Sequence, residues 1–192
     1  MNKLQIRIAA FAVLALALVC SGCHVSGKVE QGRVIAYDRN AERVTLIPES
    51  RTANQPDPGV LPPVTVQTPS DPQEMGPAPV AGKLMMLDLK NRRLVVFDAA
   101  TQGFRTFQYA PVEERRNVTK APASPSVDRD HKTITIYSRA NRTTVTIAAS
   151  DEMLALPDDA WKFGDVVRYY YKDPARAVRF MNVTRTDLSS SK

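Results

Sequence analysis

The groups capable of chemistry in this chain are few, and most of them fall together. Cys20, Cys23 and His24 form the spacing C-x-x-C-H, and they include both cysteines of the 192 residues. The other histidine is His131, in Asp128-Arg129-Asp130-His131, where two carboxylates stand beside an imidazole. Two chemistries compete for the first cluster. C-x-x-C-H is the pattern that fastens a c-type haem through both thiols; alternatively, Cys23 alone takes acyl chains, and the two outcomes exclude each other. The second cluster offers Asp128, Asp130 and His131 as an alternative metal site, but metal sites take three or four converging ligands. Polar residues also collect ahead of a strand, so no metal is assigned. A hydrolytic triad needs a histidine beside a nucleophile, and downstream of Cys23 only His24 and His131 are available. No enzymatic chemistry is read, and no catalytic residue is named.

The element that positions the first cluster is an apolar leader. Lys3 and Arg7 precede it, and no acidic residue occurs before Glu30. Ile8 to Val19 is an apolar run of 12 residues, short of the ~20 that a helix needs to cross a bilayer. It therefore reads as the helix of an export signal. Ser21-Gly22-Cys23 follows, two small residues ahead of a thiol. This resembles the lipobox of bacterial lipoproteins, although Cys20 stands where that family places a large aliphatic residue. The resemblance implies that residues 1–22 are removed, that Cys23 is acylated, and that 23–27 form a tether. The haem alternative must keep Cys20, so cleavage would fall after Ala15-Leu16-Ala17. That would leave Ile8 to Leu14 as the apolar core, at the low edge of the usual range, and nothing beside Cys23 could wrap a macrocycle. No cofactor is assigned. With His24 rather than an aspartate in second place, the resemblance to enterobacterial lipoproteins implies the outer membrane. The lipobox followed by Gly27-Lys28-Val29-Glu30-Gln31-Gly32-Arg33-Val34-Ile35-Ala36-Tyr37-Asp38 also resembles small uncharacterised bacterial lipoproteins, which implies no activity.

Loss of Cys20 with the leader leaves no free thiol, so a domain in an oxidising compartment must hold itself by core burial. The formal charge falls from +6 to +4 once Lys3 and Arg7 leave. Arginines spread along the chain read as a solvated surface, and nucleic acid is not expected as a partner of an exported protein. The expected partners are the bilayer, through acylated Cys23, and an envelope protein or cell-wall polymer.

Downstream, the patterning is that of strands. Lys28 to Ile47 reads as a hairpin turning at Asp38 to Glu42, with Val34, Ala36, Val44 and Leu46 facing one way. Gly32–Ile47 aligns without gaps on Gly82–Phe97, matching Asp38 with Asp88 and Arg43 with Arg93, so the second hairpin looks like a copy of the first. Gln102 to Tyr109 continues as a strand with Phe104 and Phe107 on opposite faces. Residues 48–81 hold 9 of the 14 prolines and read as an extended, exposed insertion containing neither a central strand nor a helix. Residues 111–130 read as a linker or loop. In His131 to Ile147, Ile134, Ile136, Val145 and Ile147 share one face and the threonines take the other. Ser150 to Leu156 reads as one short helix, near 151–156, capped by Ser150 and stopped before Pro157. The last hairpin turns around Lys172 to Ala175.

Residues 131–186, through Phe163-Gly164-Asp165-Val166-Val167, resemble the closing segments of small periplasmic barrels of oligonucleotide/oligosaccharide-binding type. Periplasmic copper carriers of barrel form use Met, His and Trp, here Met85, Met86, His131 and Trp161. Adjacent Met85 and Met86 should point to opposite faces and so read as core filler. Asn117, Asn141 and Asn182 lie in glycosylation sequons, read as chance matches. The expected fold is all-β: antiparallel hairpins forming one or two small barrels or sandwiches, with a β domain over 28–110, another β domain or second half of the same barrel over 131–187, and a short tail at 188–192. The expected role is that of a tethered, non-catalytic interaction module.

Overall fold

The computed structural model describes residues 26–49, 61–120, 125–139 and 141–186. The leader with its signal helix, Cys20, Cys23, His24 and the 188–192 tail lie outside the described residues. The chain opens with β1 (Lys28–Asp38), β2 (Arg43–Pro48) and β3 (Val64–Gln67), then a 3-10 turn at Pro72–Glu74. Seven strands follow: β4 (Leu84–Asp88), β5 (Arg93–Asp98), β6 (Gly103–Gln108), β7 (Ala110–Arg115), β8 (Ser126–Asp128), β9 (Thr133–Ser138) and β10 (Thr143–Ala148). Helix α1 (Asp151–Leu154) and a 3-10 turn (Asp158–Trp161) lead to β11 (Val166–Asp173) and β12 (Arg176–Asn182). The fold is all-β, and α1 starts as expected, with the Ser150 hydroxyl accepting the Met153 N–H.

The first three strands and the last two close into one barrel, in the order β1-β11-β12-β3-β2. All its pairings are antiparallel except β12 with β3, which meet in parallel at Arg176 and Gln67. This order resembles that of the five-stranded oligonucleotide/oligosaccharide-binding barrel. Of the segment 131–186, residues 166–182 contribute two strands to this barrel, and the other three come from residues 28–67. Strand β3 corrects an expectation, because a barrel strand lies within the proline-rich segment. Pro62 and Pro63 stop just short of it, and Val64-Thr65-Val66-Gln67 carries β-branched residues with every N–H available. The barrel interior is Val34, Val44, Leu46, Val66, Val167, Tyr169, Tyr171, Ala177 and Phe180.

Between β3 and β11 is inserted a unit of two sheets, β4-β5-β6 and β7-β10-β9-β8. The segment expected as a linker over 111–130 instead supplies both edges of the second sheet, most of β7 and all of β8. Leu84, Leu94, Val96 and Phe107 of one sheet share a core with Ile134, Ile136, Val145 and Ile147 of the other. Met153 and Trp161 belong to the same core. The threonines of β9 and β10 take the opposite face, where the Thr135 and Thr146 hydroxyls lie 3.0 Å apart.

The three-stranded sheet is apolar on both sides, which is why Leu94-Val95-Val96-Phe97 runs without alternation. Its second face carries Met85, Val95 and Phe97 onto Ile35 and Ile47 of the barrel, with Met86 and Phe104 at the margin. Phe104 and Phe107 thus serve opposite faces. The two aligned hairpins bring equivalent residues into this one cluster, since Ile35 and Ile47 of the first align with Met85 and Phe97 of the second. Both copies also carry a bulge at the same place, between Val34 and Ala36 and between Leu84 and Met86. The bulges correct two expectations about facing. Ala36 turns outward while Tyr37 packs on the barrel core, and Met85 and Met86 pack on one cluster rather than opposite faces.

One turn design recurs in five hairpins. Asp38, Asp88, Asp98, Asp128 and Ser138 each accept a backbone N–H two or three residues ahead. The fifth residue of each turn, Glu42, Arg92, Gln102, Lys132 and Arg142, has φ of 52°, 52°, 52°, 50° and 48°. This is a type I turn closed by a left-handed residue, with long side chains where glycine is usual. The Asn91 N–H, with its side chain and the Lys90 N–H, holds the Asp88 carboxyl below its ordinary range.

Candidate functional site on the outer wall of the barrel

The two crossings between barrel and insertion run side by side and are locked by Asp165. Its N–H donates to Val80 O at 2.8 Å, and its carbonyl accepts from Val34 N at 2.9 Å. Its buried carboxylate takes three donors on one oxygen, Oδ2: Val80 N at 2.9 Å, Asn182 Nδ2 at 2.9 Å and Arg185 Nε at 2.6 Å. Gly164 is needed beside it, since a Cβ there would overlap the Val34 carbonyl oxygen. Arg33 closes the corner, donating to Gly164 O at 2.9 Å with its guanidinium 5.2 Å from the Phe163 ring centre. Burial lowers Arg33 from its ordinary value, and Glu49 and Asp165 oppose that shift. The Gly-Asp turn of the sequence is therefore a structural lock. Asn182 is fully buried within it, which removes that sequon from the surface.

At the start of β1 the inward position before Gly32 is Glu30, a carboxylate where the period of two calls for an apolar side chain. It accepts Tyr169 Oη at 2.9 Å and Tyr171 Oη at 2.6 Å, and the two rings stack with centres 5.5 Å apart. Burial, and then the bond to Glu30, pushes the Tyr169 hydroxyl far up, while for Tyr171 the bond to Glu30 leads. Both hydroxyls stay protonated as donors, and the trio fastens β1 to β11.

The outer side of the same strands carries cations. Register places Gln31 opposite Arg168, Val29 opposite Tyr170, and Tyr170 opposite Arg179. Arg168 donates to Gln31 Oε1 at 2.8 Å, and Gln31 in turn donates to Glu49 at 2.6 Å. Arg179 holds Glu74 in a two-bond pair at 2.5 and 3.1 Å, and Arg176 reaches Gln67 at 2.7 Å. Lys172 is exposed on this side and has no ion-pair partner among the described residues, while Lys28, exposed at the start of β1, lies opposite Tyr171 and so takes the other face. The wall also exposes Val29 and Val178, at 44% and 46%.

Among the described residues, those singled out in the sequence do not assemble into a site. Asp128 accepts the His131 N–H and contacts Nδ1 at 2.9 Å, serving the β8–β9 turn. No group of three or more His, Cys, Asp or Glu side chains that could hold a metal occurs among the described residues, so Asp130 does not complete a trio. Trp161 is buried in the inserted core, Met85 in the seam, and His131 is largely exposed. What sequence reasoning missed is Glu30 with its tyrosine pair and the cationic wall. A carboxylate on the inward side of β1 and a Tyr169-Tyr170-Tyr171 run were the available signals.

Fold and site together define an all-β protein: a closed five-stranded barrel bearing an inserted two-sheet unit, with a cationic outer wall. Residues 26–191 match the DUF4881 family, a domain of unknown function, and the chain belongs to that family. No curated protein and no solved structure matches it.

Proposed function

We propose that this protein is an acylated lipoprotein of the bacterial envelope, anchored through Cys23, whose β-rich part is a non-catalytic interaction module on the periplasmic side, at the outer membrane. One observation carries the reading. A basic start, an apolar run too short to span a bilayer and Ser21-Gly22-Cys23 end immediately ahead of a barrel whose first strand begins at Lys28. Two or more acyl chains give stable anchoring, and the barrel, inserted sheets and Asp165 lock then form the body held at the surface. Intact mass of the native protein after detergent extraction tests this. The expected product begins at Cys23 and is heavier than the bare polypeptide by its acyl chains, and Cys23→Ala abolishes both processing and the added mass. A product that retains Cys20 and carries a haem mass with a visible absorption band overturns the reading, and so does a bare terminus.

A further inference from the structure

We propose that the wall formed by β1, β11 and β12 lies flat against an anionic lipid surface; this rests on the reading that Cys23 carries the anchor. The first argument is charge. Arg168, Lys172, Arg176 and Arg179 share this side, against Glu74, which is occupied by Arg179, Glu49, which accepts from Gln31, and Asp173, which caps its own turn at Ala175 N. Cations near an anionic leaflet are each favoured by roughly fivefold. The second is surface chemistry. Val29, opposite Tyr170, and Val178, at the register shift of β12, are half exposed, and a ring with a polar tip suits the boundary between headgroups and water.

The third argument is the path of the chain. A Cβ on Gly27 would overlap the Tyr170 ring, so the segment entering β1 runs over this wall. Cys23 lies only five residues before Lys28, a reach of at most ~18 Å. An anchor at Cys23 therefore holds this wall within that distance of the headgroups. The tether makes contact an intramolecular event, so a few weakly favoured cations suffice to set the orientation. A lipid surface is the occupant that the anchor itself brings.

The test is lysine footprinting of the full native protein on vesicles of phosphatidylcholine with and without phosphatidylglycerol, read by mass spectrometry against Lys90, which is exposed on the β4–β5 turn. On the anionic vesicles, acetylation of Lys172 is expected to fall roughly fivefold relative to Lys90. High salt, which shortens the Debye length to about 3 Å at 1 M, should restore it, and neutral vesicles should give no protection. Equal labelling on both vesicles, with the protein bound to both, overturns the docking wall and leaves the anchor standing. Binding to anionic vesicles alone, with a bare terminus and the same footprint, overturns the anchor and keeps the wall. Protection that persists on neutral vesicles and ignores salt overturns the lipid assignment in favour of a protein or second-copy contact.

Discussion

The Asp165 lock makes a prediction whose size follows from its geometry. Oδ2 alone accepts all three donors, so Asp165→Asn can keep every acceptor contact by placing its carbonyl oxygen there, whereas Asp165→Ala loses them all. In the alanine variant Val80 N–H is left without that acceptor, and Asn182, fully buried, retains Pro77 O at 3.2 Å for its amide. Hydrogen bonds to charged groups contribute about 1.5–3 kcal/mol each when buried. Arg185 is 45% exposed, so its arm is discounted to ~1 kcal/mol or less. The expected loss is about 3–4 kcal/mol for alanine and about 1 kcal/mol for asparagine. With a urea m-value of ~2 kcal/mol/M the alanine midpoint should fall by roughly 1.5–2 M. Equilibrium unfolding followed by Trp161 fluorescence reads this directly, since that indole is buried in the inserted core. The reasoning is refuted if alanine costs less than about 1 kcal/mol, or if asparagine costs as much as alanine.

Two further outcomes follow from the shared turn. Glu42→Gly and Arg142→Gly each relieve a left-handed residue whose side chain makes no hydrogen bond or ion pair among the described residues; relief of ~1–2 kcal/mol against glycine's entropic cost of roughly 0.5–1 kcal/mol should raise stability by about 0.5–1 kcal/mol per site, measured as an upward shift of the urea midpoint. The Asp88 and Asp128 carboxyls are held below their ordinary range, first by the backbone N–H groups of Asn91 and His131. Their contribution is therefore complete above the unfolded value of about 3.9 and is lost as pH falls through the lower folded value. A thermal midpoint measured against pH should decline less steeply below about pH 4 in the double variant Asp88→Asn, Asp128→Asn than in the parent; identical slopes would count against these turns as acid-sensitive elements.

What the sequence made legible was local. The hairpins β1–β2, β4–β5, β9–β10 and β11–β12 announced themselves through strand-forming runs around polar turns, and α1 through Ser150 and Pro157, whereas β7 and β8 fell in a segment read as linker or loop. The copy of Gly32–Ile47 in Gly82–Phe97 was visible as an alignment, and the structure gives it physical content in the matching bulges and in the one cluster shared by Ile35, Ile47, Met85 and Phe97. The bulges themselves were hidden, because an inserted residue leaves composition unchanged while reversing every later facing. That reversal is why Tyr37 and Met86 were assigned to the wrong sides. Strand β3 was hidden by its surroundings: four residues with good strand chemistry are easily lost within 34 that hold 9 prolines.

The barrel and its wall were illegible for a different reason. Closure pairs β1 with β11 across more than 130 residues, and Gln31 meets Arg168 with the whole inserted unit lying between them in sequence. Alternation can say that Arg168, Tyr170 and Lys172 share a face; it cannot say that Val29 and Arg179 flank them. Cations that read as a scattered solvated surface therefore become a single wall only through register. The Glu30 carboxylate was the one local clue, since an acid at an inward position requires partners, and Tyr169 and Tyr171 supply them from the strand next door. Register at β1 and β11 is thus specified by a polar contact inside the barrel as well as by the apolar period. A slip of one residue would carry Glu30 away from both hydroxyls and reverse the facing of Val34 at once. The same pairing that satisfies this inward-facing acid is the one that aligns the cations outside.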